Sequence, residues 1–295
     1  MSRMPRMVAT LRPAAAFTLI ELLVVIAVVG ILIGVLLPAL GRARECAVVS
    51  GELSAARQFI LAHQLYSQEH AGAVLPGYAS STMVNRGEVV ARNDVGKRLY
   101  GREAQRYVWR LLPFMDFQIG FQFRDPSRVV GLSPGFRDYP VSAQPRFGLN
   151  QTFIGGSADG DPTGGNSFIE SPIRRERIRR AWGSRWYVSD VAQFTRPSEL
   201  LVFASAWGRD PVSGEVLDGF FRVTAPSFTR RLWQTAPPDD ATPSERTGQV
   251  LLRFGGKTVA AMADGHASTL TWAQMQDMRR WAPGATSEDW VLPAP

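Results

Sequence analysis

The chain has 295 residues, of which 45% are hydrophobic and 10% aromatic. This composition is typical of a folded protein and argues against intrinsic disorder. The formal net charge is +7, and nearly all of the basic residues are arginine. A basic balance by itself suits nucleic acid, acidic lipid and acidic polysaccharide equally well. Because Cys46 is the single cysteine, an intrachain disulfide is excluded.

The N-terminal residues 1–16 carry Arg3, Arg6 and Arg12 and no acidic residue. Positive charge in front of a membrane span favours a cytoplasmic N-terminus and export of the chain that follows. The competing interpretation is a secretory signal peptide. However, the apolar run that follows exceeds the roughly 7–15 residues of a signal core, and no A-x-A cleavage site comes after it.

An apolar stretch over residues 17–40 predicts one transmembrane helix. Residues 22–40 contain no charge, and as a helix they are about 28 Å long, close to the roughly 30 Å of a bilayer's hydrocarbon core. Glu21 is the single charged residue of the stretch. Its carboxylate costs insertion free energy, so it either reaches the interface or has a dedicated partner. Cleavage before Phe17 would create such a partner, an amine four residues away.

Residues 41–72 contain no proline and predict a continuation of the same helix beyond the membrane. Gly30, Gly34 and Pro38 are the places where this helix is expected to bend or to approach a neighbour closely. Six residues recur at three- and four-residue steps and predict a half-buried stripe: Leu53, Ala56, Ile60, His63, Tyr66 and His70.

Residues 16–27, which read A-F-T-L-I-E-L-L-V-V-I-A, resemble the N-terminal signature of type IV pilins and type II secretion pseudopilins. The resemblance implies that a prepilin peptidase cuts between Ala16 and Phe17 and methylates the new N-terminus. It also implies that Glu21 guides assembly of a helical filament, and Pro38 matches the family's helix-kinking proline. The family usually has glycine before the cut, where this chain has Ala16.

Further segments resemble a large pseudopilin-like subfamily with a C-terminal Asp-Gly motif. In that subfamily a histidine stands upstream of the Asp-Gly pair, and Phe254 occupies its position here. The resembling segments are Tyr66–Pro76, Trp109–Pro113, Pro145–Asn150 and Asp264–His266.

The C-terminal third of the chain predicts an antiparallel sheet. Gly255-Gly256 and Asp264-Gly265 suit the positive φ angles of tight hairpin turns. They separate three predicted strands of one meander, which a short amphipathic helix at 273–281 follows. Upstream, a buried strand is predicted within 197–205, and 78–105 is predicted as a loop with at most one short helix. The three strands of the meander are Val250–Phe254, Lys257–Ala263 and His266–Trp272.

Three groups of side chains are candidate binding sites. His63 and His70 lie on one helix face, where metal ligation competes with a simple interface role. The loop 155–166 holds Asp159 and Asp161, but a calcium loop of the EF-hand type needs further ligands at set positions, so a surface loop is expected. The arginine cluster 174–180 is either a solvated face or a phosphate-binding patch, and no nucleic-acid motif flanks it. An acidic envelope polymer or a neighbouring filament subunit is an equally open partner.

Enzymatic chemistry is not expected. The sequence has no serine elbow, P-loop, dinucleotide fingerprint, H-E-x-x-H motif or cysteine pair. Asp264 and His266 could be read as catalytic, but a tight turn explains the Asp-Gly pair. We therefore predict no catalytic residue, no cofactor and no metal.

Together these observations predict an α+β, pilin-like protein with a long N-terminal helix packed on an antiparallel sheet. The predicted parts are a leader over 1–16, a transmembrane helix over 17–40, its amphipathic continuation over 41–72 and a periplasmic globular domain over 73–295. The resemblance implies a filament subunit of the inner membrane, with prepilin peptidase, other pilin or pseudopilin subunits, the assembly platform and lipid as partners. The alternatives are an anchored periplasmic domain that binds sugar or ion without assembling, and an enzyme on a membrane tether.

Overall fold

The computed structural model describes residues 19–129, 131–157, 180–183, 186–209, 214–237 and 245–292. The predicted leader over 1–16, which ends at Ala16, and the following Phe17 lie outside these residues. So do most of the loop 155–166 and all of the arginine cluster 174–180 except Arg180. The chain divides into two compact units, Met1–Val48 and Val49–Pro295.

One helix, α1, runs from Leu19 to Glu69. Its N-terminal part is the described portion of the first unit, and its C-terminal part belongs to the second. The helix ends because Ala71 (φ 53°) and Gly72 (φ 90°) take left-handed backbone conformations. The amide of Gly72 then reaches back to the carbonyl of Ser67 at 2.8 Å, which satisfies one of the last helical acceptors.

The second unit is built around a four-stranded antiparallel sheet with the order β1-β2-β5-β6. Strands β3 and β4 form a separate two-stranded ribbon. The strands are β1 Phe147–Leu149, β2 Leu201–Ser205, β3 Gly208–Arg209, β4 Val216–Leu217, β5 Lys257–Met262 and β6 Ala267–Thr271.

Both faces of this sheet are covered, so its central strands are apolar at successive positions. Phe203 and Val259 belong to the apolar cluster that includes α1, whereas Ala204 and Ala260 belong to the cluster on the opposite face. The pairing of β2 with β5 shifts between Leu201 and Phe203, which interrupts the strict alternation of faces. The α+β expectation is confirmed by this combination of a long helix and an antiparallel sheet.

The C-terminal part of α1 packs on the first face through small and aromatic residues. Ala55 and Ala56 are fully buried, so the helix backbone can approach closely. Phe59 packs against β1 and β2, with its ring centroid 5.0 Å from that of Phe147 and 5.7 Å from that of Phe203. Burial of such aromatic side chains stabilises the fold by roughly 1.5–3 kcal/mol each.

The stripe predicted on α1 is partly wrong. Ala56, Ile60 and His63 are buried, and Leu53 and Tyr66 are half-buried against the same apolar cluster, as expected, but His70 is exposed. The buried face of α1 is rotated relative to the predicted stripe, because it also includes residues outside that stripe, such as Ala55, Phe59 and Ala62. The buried residues of α1 are Glu52, Ala55, Ala56, Phe59, Ile60, Ala62, His63 and Ser67.

The remaining helices are short and lie around the sheet. Residues 78–105 contain two of them, α2 and α3, where at most one was predicted. The sequence predicted a helix at 273–281; that region holds α6 and one 3-10 turn, and Thr271 caps α6 through a reciprocal bond with Gln274. The helices are α2 Ser81–Arg86, α3 Gly101–Gln105, α4 Val108–Leu111, α5 Pro134–Ala143 and α6 Trp272–Met275.

Several single 3-10 turns also occur among the described residues. They are Leu112–Met115, Ile119–Gln122, Pro126–Arg128, Val191–Gln193, Glu245–Thr247 and Met278–Arg280.

The prediction that 250–254 forms the first strand of a meander is wrong. The turn itself is present, because Phe254 and Lys257 exchange backbone hydrogen bonds of 3.1 and 3.2 Å around Gly255 and Gly256, both at positive φ. The pairing stops there, since β5 already has β2 on one edge and β6 on the other. A strand has only two hydrogen-bonding edges. The preceding segment instead makes one isolated bridge, from Val250 to Ala206.

A buried carboxylate links α1 to the sheet. Glu52 is 5% exposed, and its Oε1 accepts bonds from Nε and Nη2 of Arg124 at 3.0 and 2.7 Å. The hydroxyl of Ser205 in β2 donates to the same oxygen at 2.9 Å. Nη1 of Arg146 lies 3.7 Å from the other carboxylate oxygen. We call Glu52, Arg124 and Arg146 the buried charge network.

The network extends from Arg124 to the surface of the second unit. Nη1 of Arg124 also lies 3.1 Å from Oδ1 of Asp218. The other oxygen of Asp218, Oδ2, pairs with Nη1 of Arg253 at 2.8 Å. Nη2 of Arg124 donates to the carbonyl of Arg146 at 3.0 Å. Burial lowers the pKa of Arg146, and the nearby Glu52 carboxylate opposes that shift. A charge on the helix is thus compensated by two arginines from loops beside the sheet.

Substitution Glu52→Gln should destabilise the second unit by about 3 kcal/mol, because it leaves two buried guanidinium groups without their carboxylate. Glu69→Gln, an exposed change on the same helix, should alter stability by less than about 0.5 kcal/mol. Denaturant unfolding of the full chain in detergent measures both values. Equal stability of the two variants would contradict a structural role for the network.

Candidate functional site

The N-terminal part of α1 presents an apolar surface on all sides. Every large apolar side chain from Leu19 to Leu40 is at least 45% exposed. The helix contains an apolar stretch with a mean hydropathy of 3.1, and by length and composition it can cross a membrane. Such a surface has to be covered by lipid or by other protein. The long apolar helix predicted from the sequence is therefore present.

Glu21 lies in the first turn of α1, and Pro38 lies inside the helix. The carboxylate of Glu21 is next to the positive end of the helix dipole, which favours an acidic group there. Pro38 has no amide hydrogen, so it cannot bond to the carbonyl of Gly34 one turn earlier. The structure describes these two predicted site residues, 17 positions apart on one helix, whereas Ala16 and Phe17 lie outside the described residues.

Asp264 and His266 form an exposed pair at the turn between β5 and β6. The backbone amide of His266 donates to Oδ1 of Asp264 at 3.1 Å, and the ring Nδ1 lies 2.6 Å from the same oxygen. The amide of Asp264 bonds to the carbonyl of Pro197 at 3.0 Å. The aspartate therefore holds the turn together, as the Asp-Gly pair predicted.

His63 and His70 are in unlike environments. His63 is 2% exposed, and its ring lies edge-on to Phe203 at 5.9 Å. Burial without a compensating charge lowers the pKa of His63 to about 4. His70 is exposed and stacks on Tyr66, with ring centroids 3.9 Å apart. Among the described residues, no group of three or more His, Cys, Asp or Glu side chains could hold a metal ion.

His63 also lines a cleft of about 520 Å³ beside α1, which Gln64, Phe194 and Ala263 help to form. Nε2 of His63 is buried and has no hydrogen-bond partner within the described part of the chain. The amide of Gln64 donates to the carbonyl of Ala263 at 3.1 Å and so ties α1 to the end of β5. The described residues that line this cleft supply one neutral imidazole and no charged group, so they offer little chemistry.

Sequence reasoning missed the buried carboxylate Glu52. The signal was present, because Glu52 stands three, four and seven residues before Ala55, Ala56 and Phe59, on the same helix face. A carboxylate at such a position is rarely buried without a partner. The partners Arg124 and Arg146 could not be found from the sequence, since they are 72 and 94 residues away.

Residues 11–37 match the family model described as the prokaryotic N-terminal methylation motif. We find no curated protein and no solved structure that matches the chain. The matched segment includes Ala16, Phe17 and Glu21 and continues into the apolar part of α1.

The chain therefore carries a prepilin-type methylation motif followed by a long apolar helix. Together with the α+β architecture of the second unit, these features are consistent with a type IV pilin-like protein.

The buried His63 should make the protein less stable in mild acid. The folded state keeps the imidazole neutral down to about pH 4, whereas the unfolded chain takes up a proton below about pH 6.5. Stability should thus fall as the pH falls from 6.5 to 4, by up to about 3 kcal/mol from this group.

The measurement is the pH dependence of the unfolding free energy for His63→Gln and for His70→Gln. The first variant should lose this part of the slope, and the second, which changes an exposed histidine, should keep it. An unchanged slope in His63→Gln would show that the titration of His63 does not contribute.

Proposed function

We propose that this protein is a structural subunit of a type IV pilus-like filament or a type II secretion pseudopilus. Prepilin peptidase would cleave it before Phe17, and α1 would carry the assembly contacts. The observation that supports this most directly is the methylation motif at 11–37, which continues into an apolar helix whose large described side chains are exposed.

The energetics of α1 favour transfer from lipid to filament. Lipid tails and neighbouring apolar helices are similar surroundings for Leu, Ile and Val side chains, so moving between them changes little hydrophobic free energy. Glu21 is the exception, because its carboxylate is costly in lipid. An N-terminal amine four residues away, on the same or an adjacent subunit, would neutralise it. The acid thus gives assembly a driving force and a register.

The orientation follows from the leader. Arg3, Arg6 and Arg12 precede the span, which favours a cytoplasmic N-terminus and a periplasmic second unit. In this arrangement the leader faces prepilin peptidase, and α1 faces lipid, the inner-membrane assembly platform and other pilin or pseudopilin subunits. Cleavage removes the three arginines together with the leader and places the new N-terminus four residues before Glu21.

The proposed role is not enzymatic. What supports this is that Asp264 and His266 are engaged in a surface turn, with the carboxylate holding both the backbone and the ring of the histidine. A filament subunit acts through its helix surface and needs no reaction centre. The proposed partners are proteins and lipid, without a cofactor.

Processing should be visible in the intact mass of the membrane form. We expect a chain that begins at Phe17 and carries one added methyl group. Ala16→Gly, which restores the family's usual residue, should be processed at least as completely. A chain that retains Met1, or one that begins after residue 40, would contradict the proposal.

Assembly should depend on Glu21. We expect Glu21→Ala to abolish oligomers captured by formaldehyde crosslinking in membranes, because the methylated amine loses its carboxylate partner. Glu45→Ala is the matched control, since it removes an exposed acid from the same helix beyond the apolar stretch. Undiminished oligomers in Glu21→Ala would favour an anchored domain that binds a ligand without assembling.

A further inference from the structure

A basic cavity of about 260 Å³ opens in the second unit, away from α1. Three of its lining residues are arginines: Arg102, Arg106 and Arg209. Aromatic rings, including those of Tyr139 and Phe221, form most of the remaining wall. The described lining residues include no carboxylate, so the cavity has an excess of positive charge that the wall does not neutralise.

Arg106 is the buried arginine among the residues that line this basic cavity. It is 6% exposed, and its guanidinium carbon lies 4.8 Å from the ring centroids of both Tyr139 and Phe221. Nη1 donates to the hydroxyl of Ser142 at 3.0 Å. Nε is buried and has no hydrogen-bond partner in the described part of the chain. Cation–π contacts offset part of the desolvation of the charge, but they satisfy none of its N–H groups.

The other two arginines are exposed. Arg102 lies in the short helix α3 and Arg209 in strand β3, so two separate elements bring them to one cavity. Nη1 of Arg209 donates to the carbonyl of Gly214 at 3.1 Å, a neutral acceptor, and none of the described residues that line the cavity carries a negative charge. Like charges around a concave, partly apolar wall raise the local concentration of anions. A bound anion would relieve the repulsion among the three.

The size of the basic cavity limits the ligand. Its volume of about 260 Å³ is below the roughly 300 Å³ at the small end of ligand pockets. One ring with its substituents fits such a space, whereas a nucleotide with base, sugar and phosphate does not. A guanidinium group pairs with a carboxylate through two parallel hydrogen bonds, which gives direction as well as attraction. Gln144 and the hydroxyl of Tyr139 offer hydrogen bonds to neutral substituents.

We propose that the basic cavity binds a uronate sugar residue, the terminal ring of an acidic polysaccharide. The carboxylate pairs with the arginines, the ring hydroxyls bond to Gln144 and Tyr139, and the apolar face of the ring packs on the aromatic wall. This site is independent of filament assembly, because it uses neither the cleaved terminus nor α1. It would let an exported subunit hold an anionic surface polymer.

The test is calorimetric titration of the full chain in detergent micelles with glucuronate, with glucose, with inorganic phosphate and with a short oligogalacturonate. We expect saturable binding of glucuronate and of the oligomer, and no binding of glucose at the same concentration. Arg102→Gln with Arg209→Gln should weaken glucuronate binding at least about tenfold. These two side chains are exposed, so the fold should be retained.

The matched control is Arg86→Gln with Arg230→Gln, which removes two exposed charges away from the basic cavity and should leave binding unchanged. No saturable binding of glucuronate, or equal binding by both double variants, would overturn the proposal. Phosphate binding as tightly as glucuronate would show a general anion site without sugar selectivity. Binding of the monomer but not of the oligomer would exclude a polysaccharide end.

Discussion

The fold of the second unit depends on a charge that α1 buries against the sheet. Apolar contacts such as that between Phe59 and Phe203 tolerate small shifts, because they have little direction. The bonds of Glu52 to Arg124 do not, since displacing α1 by one turn would take the buried carboxylate away from Arg124 and Arg146. The buried charge network therefore sets where the helix lies on β1 and β2, while hydrophobic burial supplies most of the stabilisation.

One helix serves two different surroundings, and its composition changes accordingly. Up to Leu40 the residues after Glu21 are uncharged and their large apolar side chains are exposed, as suits contact with lipid or with other helices. From Val49 onward one face is buried on the sheet, and the exposed residues are mostly polar, with Leu61 and Leu65 as apolar exceptions. Two acidic residues of this helix, Glu52 and Glu21, differ in the partner that compensates the negative charge. Glu52 is neutralised within its own chain, whereas Glu21 is proposed to find its partner at a processed terminus.

Several of the chain's many arginines have structural roles in the second unit. Arg124 and Arg146 compensate a buried acid, and Arg106 is sandwiched between two rings. A planar guanidinium group can stack on an aromatic ring and donate hydrogen bonds in its own plane at the same time, which an ammonium group cannot do. Arginine thus supports both the core of this fold and the concave basic surface proposed to hold an anion.

The sequence by itself determined the parts that depend on local pattern: the apolar helix with Glu21 near its start, the α+β class and the tight turns at Gly255-Gly256 and Asp264-Gly265. These follow from composition, periodicity and backbone φ preferences, which neighbouring residues carry. Only the tertiary structure decided which strand pairs with β5, which edge of α1 meets the sheet, and that Glu52 lies against Arg124. Those contacts join residues 50 or more positions apart, and their geometry depends on the simultaneous packing of the whole unit, which no local pattern encodes.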